Sequence, residues 1–371
     1  MDNPIRTEAD AILSNKQWMR RLCVVMEMEK WVADNLKKKG EYDRFDRQNA
    51  ALVDKGKEYF YGYLFWGRRK FPTSADPLFF DNEDIVSDDG SLASQLEDGK
   101  YPEFIRKLNE TIKFIMESEN FDVDVTYKNV ACYVGPSTPV IETLKDRLPE
   151  GCSKDHEIIG LILRYRCVGG FESNLHGSVT ADWGRMLGGY TECFASPLNH
   201  KFEIFHSVFE EDCVFGGRGD FFKMVGSNDG VLPSGSYEIN PPFHSALLDQ
   251  VAEIVDRSFR SNVKNLKIVM IVPKWSHTNF IPKLDNVCFF LEERGYVLDE
   301  KYGYKHTNGR PLTANTKFYV LASKDISIDD FSTSVVLCKQ LVSIGVPRFR
   351  FQAAFDQSSA TLDRIQLRLK Q

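Results

Sequence analysis

The sequence predicts an α/β protein: a mainly helical domain over residues 1–150, then a strand-and-helix sheet domain over 151–371. Three observations carry this. Ahead of residue 150, apolar residues recur at helical spacing. Beyond it, short β-prone runs alternate with amphipathic stretches, the signature of an α/β sheet. Finally, Leu266–Val272 is an apolar run, broken only by Lys267, of the kind found in strands buried on both faces of a parallel sheet.

In the helical half, Ile12, Trp18, Leu22, Val25, Met26 and Trp31 predict one long helix over about 8–39, closed by Lys37-Lys38-Lys39 and Gly40. A second helix is expected over 41–67, ending in Tyr59-Phe60-Tyr61-Gly62-Tyr63-Leu64-Phe65-Trp66 and then Arg68-Arg69-Lys70. Such a stretch can stack bases and hold phosphates; as a plain helix it packs its aromatics inward and solvates its charges. Residues 71–100 are acidic and rich in Asp, Ser, Gly and Pro, a connection. Helices are expected over 102–118, 139–148 and 154–167, with short β-prone pieces at 123–126 and 131–134.

Composition narrows the function. The 371 residues are 42% hydrophobic and 27% charged, enough for a sizeable core. The net charge of −6 announces no global affinity for nucleic acid, so any basic surface must be local. Eight dispersed cysteines and seven unclustered histidines lack metal-ligand spacing, and imply reduced thiols, an intracellular compartment and no metal. No apolar run reaches membrane-spanning length and Met1-Asp2-Asn3-Pro4 does not open a signal peptide, so no membrane is expected as a partner.

In the sheet half, Tyr190–Pro197 reads as a strand and a small-residue turn leading into a helix near Leu198. Backbone N–H groups at such a helix start can hold a carboxylate, and Glu192 either binds an ammonium or is solvated. A strand over Asp212–Phe215 and the turn Gly216-Gly217-Arg218-Gly219-Asp220 follow, with Asp220 either accepting from ribose hydroxyls or simply solvated. There is no G-x-G-x-x-G, so no dinucleotide is inferred. A helix over 244–259 comes after the corner described next. The last strands, near 296–304 and 317–322, should close the sheet antiparallel, and Val346–Phe351 alternates two arginines with two phenylalanines as a half-buried strand.

The pivotal stretch is Ser236–Phe243, a β-prone run climbing into Asn240-Pro241-Pro242-Phe243. Two prolines cannot extend a ladder or sit inside a helix, so the corner is stiff. At the carboxyl end of a central strand it stands where open α/β sheets bind ligands. An amide, free carbonyls and an aromatic plane suit an exocyclic amine on a planar ring, most simply adenine N6. Trp275, after the expected strand 266–272, should share that sheet edge, as a second wall for a ring or as cover for the core.

Glu192-Cys193-Phe194-Ala195-Ser196-Pro197-Leu198-Asn199, the Gly-Arg-Gly turn, Asn240-Pro241-Pro242-Phe243 and Val272-Pro273-Lys274-Trp275, in this order, resemble the catalytic domain of the phosphorylated-CTD-interacting-factor family. Leu163-Arg164-Tyr165-Arg166 adds to the likeness, which spans about 155–322. The resemblance implies a Rossmann-like methyltransferase sheet, S-adenosylmethionine as cofactor, and methyl transfer to N6 of the 2′-O-methyladenosine beside the 7-methylguanosine cap of mRNA. It implies capped RNA and the transcription machinery as partners, and a nuclear, otherwise cytoplasmic, place.

On this reading Asn240, Pro241, Pro242 and Phe243 are catalytic. Glu192, Phe194, Ala195, Ser196, Pro197, Asn199, Asp220 and Asn240 hold the cofactor. Phe243, Ser245, Lys274, Trp275, Arg164 and Lys305 meet the substrate, and residues 1–150 contribute to RNA or cap binding. The sequence departs from the family at Lys274, where a glutamate is expected, and at His244-Ser245, where Cys-Glu is expected. No WW-type module is read ahead of the likeness. The alternatives are adenine methylation on uncapped RNA or DNA, methylation of a protein glutamine, or a non-catalytic RNA-binding subunit of the same fold.

Overall fold

The structure is a computed structural model that describes residues 7–36, 92, 94, 96–116, 138–168, 175–177, 186–187, 189–275, 278–306 and 311–343. Of these, 116, 138–140, 175–177, 299–306, 311–314 and 342–343 are described by their backbone alone. The elements expected at 41–67, 123–126, 131–134 and 346–351, the aromatic-basic run 59–70, and Lys37 to Gly40 lie outside the described residues.

Helix α1 spans Glu8–Asp34. It starts at a capping box, with Thr7 Oγ1 accepting from Asp10 N at 3.2 Å and Asp10 Oδ2 accepting from Thr7 N at 3.3 Å. It ends at Asn35, whose side-chain amide donates to Trp31 O. Trp18, Leu22 and Val25 are buried as expected, but Ile12 is exposed, one position off the buried stripe of Ala11, Asn15 and Trp18. Helices α2 (Lys100–Met116), α3 (Thr138–Arg147) and α4 (Lys154–Cys167) fall close to the expected ranges. Leu92 and Leu96, inside the expected connection, are fully buried with Val25, Met28 and Phe104, so its end is a packed element.

The mixed α/β sheet has seven strands among the described residues: β1 (Leu175–Gly177), β2 (Thr191–Ala195), β3 (Ile204–Ser207), β4 (Gly235–Ile239), β5 (Leu266–Pro273), β6 (Gly295–His306) and β7 (Pro311–Ala322). They run in the order β1-β6-β7-β5-β4-β2-β3. Strands β3, β2, β4 and β5 are parallel; β7, β6 and β1 pair antiparallel, which gives the expected antiparallel finish.

Alternation on β4 and β5 divides the core. Tyr237, Ile239, Ile268, Met270 and Val272 pack with α4, α6 (Ser245–Arg260) and α7 (Phe280–Leu291). Val269 and Ile271 face α8 (Ile328–Ser343) on the other side. Trp18, Leu22, Ile141 and Leu144 belong to the first of these clusters, so α1 and α3 pack directly against the sheet half.

Two expectations fail. No helix begins near Leu198: residues 196–203 turn and lead straight into β3, which lies beside β2. Nor is 212–215 a strand. Glu210–Phe215 is a 3-10 helix, with three acids in its first turn and Gly216, at φ 94°, closing it.

Asp212 explains that helix. Its Oδ1 accepts from Arg164 Nη2 at 2.8 Å and its Oδ2 from the Tyr165 hydroxyl at 2.5 Å, with the Arg164 and Asp212 side chains wholly buried. Beside them, the Phe209 ring meets Trp18 and Tyr165 edge-on. This anchor joins α4 to the loop after β3. Removing one partner of a buried ion pair leaves an uncompensated charge, so Asp212→Ala should cost about 3–5 kcal/mol. The double replacement Arg164→Met with Asp212→Leu should recover about half of that loss, since apolar pairs often substitute well. Urea unfolding midpoints measure both, and a double variant no more stable than Asp212→Ala would contradict the ion-pair account.

Candidate active site

The strand order reverses between β2 and β4: from β2 the chain moves outward to β3, then returns to the other side of β2 as β4. Ligands of open α/β sheets sit at such a switch point, beyond the carboxyl ends of the strands. Two loops meet there, 196–200 after β2 and 240–244 after β4.

The first loop is held by side chains in place of a helix. Asn199 Oδ1 accepts from Ser196 N at 2.8 Å and Ser196 Oγ at 2.9 Å, while Leu198 N donates back to Ser196 Oγ. Glu192 completes it from below. Its Oε2 accepts from the N–H groups of Lys201 and Phe202 at 2.8 and 3.1 Å, fixing where the chain returns toward β3. Glu192, Ser196 and Asn199 thus act on the loop's own backbone, and the helix start proposed to hold a carboxylate is absent.

Beyond β2 and β3 lies a small open cleft, lined by Cys193, Phe194, Ala195, His206, Ser207, Val208, Asp220, Phe221 and Phe222. Of the residues expected to hold a cofactor, Phe194, Ala195 and Asp220 line it. Asp220 is the N-cap of α5 (Phe221–Gly226): its Oδ1 accepts from Phe222 N at 2.6 Å and Lys223 N at 3.3 Å. His206 and Ser207 escaped the sequence reading because the strand was placed eight residues too late. The acidic triplet Glu210–Asp212 ahead of Gly216 was the available signal that 210–215 is helical.

The second loop is the Asn-Pro-Pro-Phe corner. Strand β4 ends at Ile239; Pro241 is buried, and Asn240, Pro242 and Phe243 are half-buried. Pro242 O accepts from His244 N at 2.8 Å, a three-residue turn that delivers the chain into α6 at Ser245. Pro241 O accepts no hydrogen bond among the described residues. Phe243 meets Trp275 edge-on at 6.4 Å, and Trp275 meets the buried Phe280 at 6.3 Å. Trp275 is 40% exposed, so the aromatic file runs from core to surface. Lys274 is exposed at the end of β5, its backbone N–H bonded to Asn315 O.

Two expected substrate contacts stand elsewhere. Arg164, expected at the triphosphate, is fully buried against Asp212. The correction has a sequence cause: α4 is buried on nearly every face from Glu157 to Tyr165, so a charge on it must pair internally. Lys305 lies on β6 opposite Pro311, where its side chain is outside the described residues. Among the described residues no group of three or more metal-ligating side chains occurs, and no helix is long and apolar enough to cross a membrane.

A mixed α/β sheet with an Asn-Pro-Pro-aromatic corner at its switch point is compatible with a methyltransferase. The comparisons with known proteins narrow that class. Residues 153–307 match the family model described as "Phosphorylated CTD interacting factor 1 WW domain". The matched residues run from α4 to β6, so the likeness lies in the sheet half. Proteins of Homo sapiens and Mus musculus named "mRNA (2'-O-methyladenosine-N(6)-)-methyltransferase" are each 34% identical over 110 residues, 29% of this chain. The aligned part spans 14% of the length of these relatives.

One electrostatic feature of the site is unusual. Glu192 and Glu238 face each other in register on β2 and β4, both buried, and Glu238 Oε1 has no hydrogen-bond partner. Burial pushes the Glu192 carboxyl up to about 7, against the two backbone N–H bonds that favour its ionised form. Burial, then the neighbouring Glu192, holds Glu238 well above the ordinary carboxylate range. Both carboxyls are raised relative to the unfolded chain, so the folded state keeps protons that the unfolded chain releases above about pH 4.5. Stability should therefore fall as pH rises from the ordinary carboxylate value through about 7. Glu192→Gln keeps an oxygen for Lys201 and Phe202 and removes the titration. It should be more stable than the parent at pH 8, by on the order of 2–3 kcal/mol, with little difference at pH 4.5. Parallel pH profiles of the two urea midpoints would contradict this.

Proposed function

We propose that this chain is an S-adenosylmethionine-dependent adenosine N6-methyltransferase of RNA. Its target on this reading is the 2′-O-methyladenosine beside a 7-methylguanosine cap. The observation that carries the proposal is the Asn240–Phe243 corner at the sheet's switch point, with an uncommitted Pro241 carbonyl and the Phe243–Trp275 ring pair beside it. The names of the human and mouse relatives support the substrate. The sheet is read as Rossmann-like from its parallel strands β3, β2, β4 and β5, and residues 1–150 as a helical domain with a part in RNA or cap binding.

The lining of the cleft beside β2 and β3 has the chemistry to meet part of a nucleoside cofactor: Phe194 and Phe221 offer ring surfaces, and His206, Ser207 and Asp220 bring polar groups from strand ends and a helix start. When bound, S-adenosylmethionine supplies an electrophilic methyl group. The chain's own residues do the positioning. Asn240 Oδ1 and Pro241 O accept the two N6 hydrogens of adenine, which draws the nitrogen lone pair out of conjugation with the ring. Both acceptors are uncharged, so the acceleration comes from alignment more than from acid–base chemistry. The proline-stiffened backbone keeps them in place without reorganisation. Phe243 holds the base face and Trp275 closes it, with the base unstacked from its neighbours. Lys274, exposed beside Trp275, is placed to meet the triphosphate bridge, and Ser245, Lys305 and the remaining loop contacts complete the substrate side. Capped RNA and the transcription machinery are the partners this reading proposes, in the nucleus.

The test is methyl transfer from labelled S-adenosylmethionine to one RNA with and without a 7-methylguanosine cap, with duplex DNA and a glutamine peptide as comparisons. Transfer to N6 of the first nucleotide of capped RNA alone is the expected result; preference for another acceptor would replace the substrate. Asn240→Ala should lower kcat by about 10²–10³-fold, the scale of losing a preorganised polar group. Its cofactor affinity, measured by calorimetry, should fall far less than kcat, since Asn240 is one of several residues expected to hold the cofactor. Undiminished transfer by Asn240→Ala would remove Asn240 from the mechanism.

A further inference from the structure

His206 lines the cofactor cleft. It is the third residue of β3, and its ring is buried to 6% exposure. Nδ1 lies 3.0 Å from Gly219 O. A carbonyl only accepts, so Nδ1 carries the hydrogen and donates it. The same carbonyl accepts from Ser207 N at 3.1 Å, and the turn that aims it depends on φ +78° at Gly219, a conformation suited to glycine. The tautomer is thereby fixed: Nε2 keeps its lone pair. Nε2 makes no hydrogen bond among the described residues and is not sealed from solvent. Burial, then the nearby Arg218, holds the imidazole below its ordinary pKa, so the ring stays neutral at pH 7.

The other polar groups of the cleft are engaged. Asp220 Oδ1 caps α5, and Ser207 Oγ donates to Phe209 O at 3.4 Å. A neutral acceptor facing a cleft with aromatic walls suits a hydroxyl donor on a nucleoside. We propose that His206 Nε2 accepts from a ribose hydroxyl of the nucleoside cofactor, the task the sequence reading gave to Asp220. The proposal rests on the function proposed above, and makes His206 a binding residue that Gly219 holds in the required tautomer.

Calorimetry on the full chain tests it, with S-adenosylhomocysteine and its 2′-deoxy and 3′-deoxy forms as probes. The wild type should bind at least one deoxy form about 10-fold more weakly than the parent ligand, the scale of one lost hydrogen bond to a buried acceptor. His206→Asn places an amide N–H where Nδ1 was and has nothing in place of Nε2. It should bind S-adenosylhomocysteine about 10-fold more weakly and lose the preference for the hydroxyl. His206→Asn that keeps the wild-type preference would overturn the assignment. So would a wild type that binds both deoxy forms as tightly as the parent, a result that needs no variant to fold. Failure of the wild type to bind S-adenosylhomocysteine at all would instead remove the cofactor reading, and this inference with it.

Discussion

The Glu192 carboxylate is the hinge on which the site's construction turns. Two parallel neighbours normally need a crossover of a dozen or more residues, usually a helix. Here the chain passes from Ala195 to Ile204 without one, and backbone N–H groups that a helix would satisfy must find acceptors elsewhere. Glu192 supplies one oxygen to two of them, and Ser196 and Asn199 close the turn above it. The position of β3, and with it one wall of the cleft, follows from that carboxylate.

The same choice loads the sheet with a second acid. Glu238 stands opposite Glu192 and two residues ahead of Asn240, on the strand that ends in the proline corner. Two buried carboxyls side by side favour sharing the neutral form. The strand carrying the proposed amine acceptor is therefore coupled by charge to the strand forming the cofactor cleft. The buried Arg164–Asp212 pair fixes the loop after β3 against α4. One wall of the cleft is thus set by a structural acid at each end of the loop system.

Legibility in the sequence followed local strength of pattern. Strand β5 is a long apolar run with one lysine near its start and α4 sits between Ser153 and a basic last turn, and both were placed within a residue or two. The Asn240–Phe243 corner and the Phe243–Trp275 pairing were legible because proline stiffness and strand ends dictate them. Strand β3 was not. Its four residues are too few for alternation to register, and its first lies exposed. The absence of a helix after β2 was illegible because Ser-Pro-Leu-Asn starts helices and closes turns equally well. Arg164 misled for another reason: a basic residue in a last helical turn usually meets solvent, and only the tertiary arrival of Asp212 makes it internal.

The order of the strands has one more consequence. Among the described residues the sheet ends on one side at the four-residue β3 and on the other at β6, whose outer border the short β1 covers only from Tyr304 to His306. An unpaired strand border is a template for another chain, and its danger grows with its length. On β3 that border is too short to seat a second molecule, so among the described residues the longer template is the stretch of β6 ahead of Tyr304.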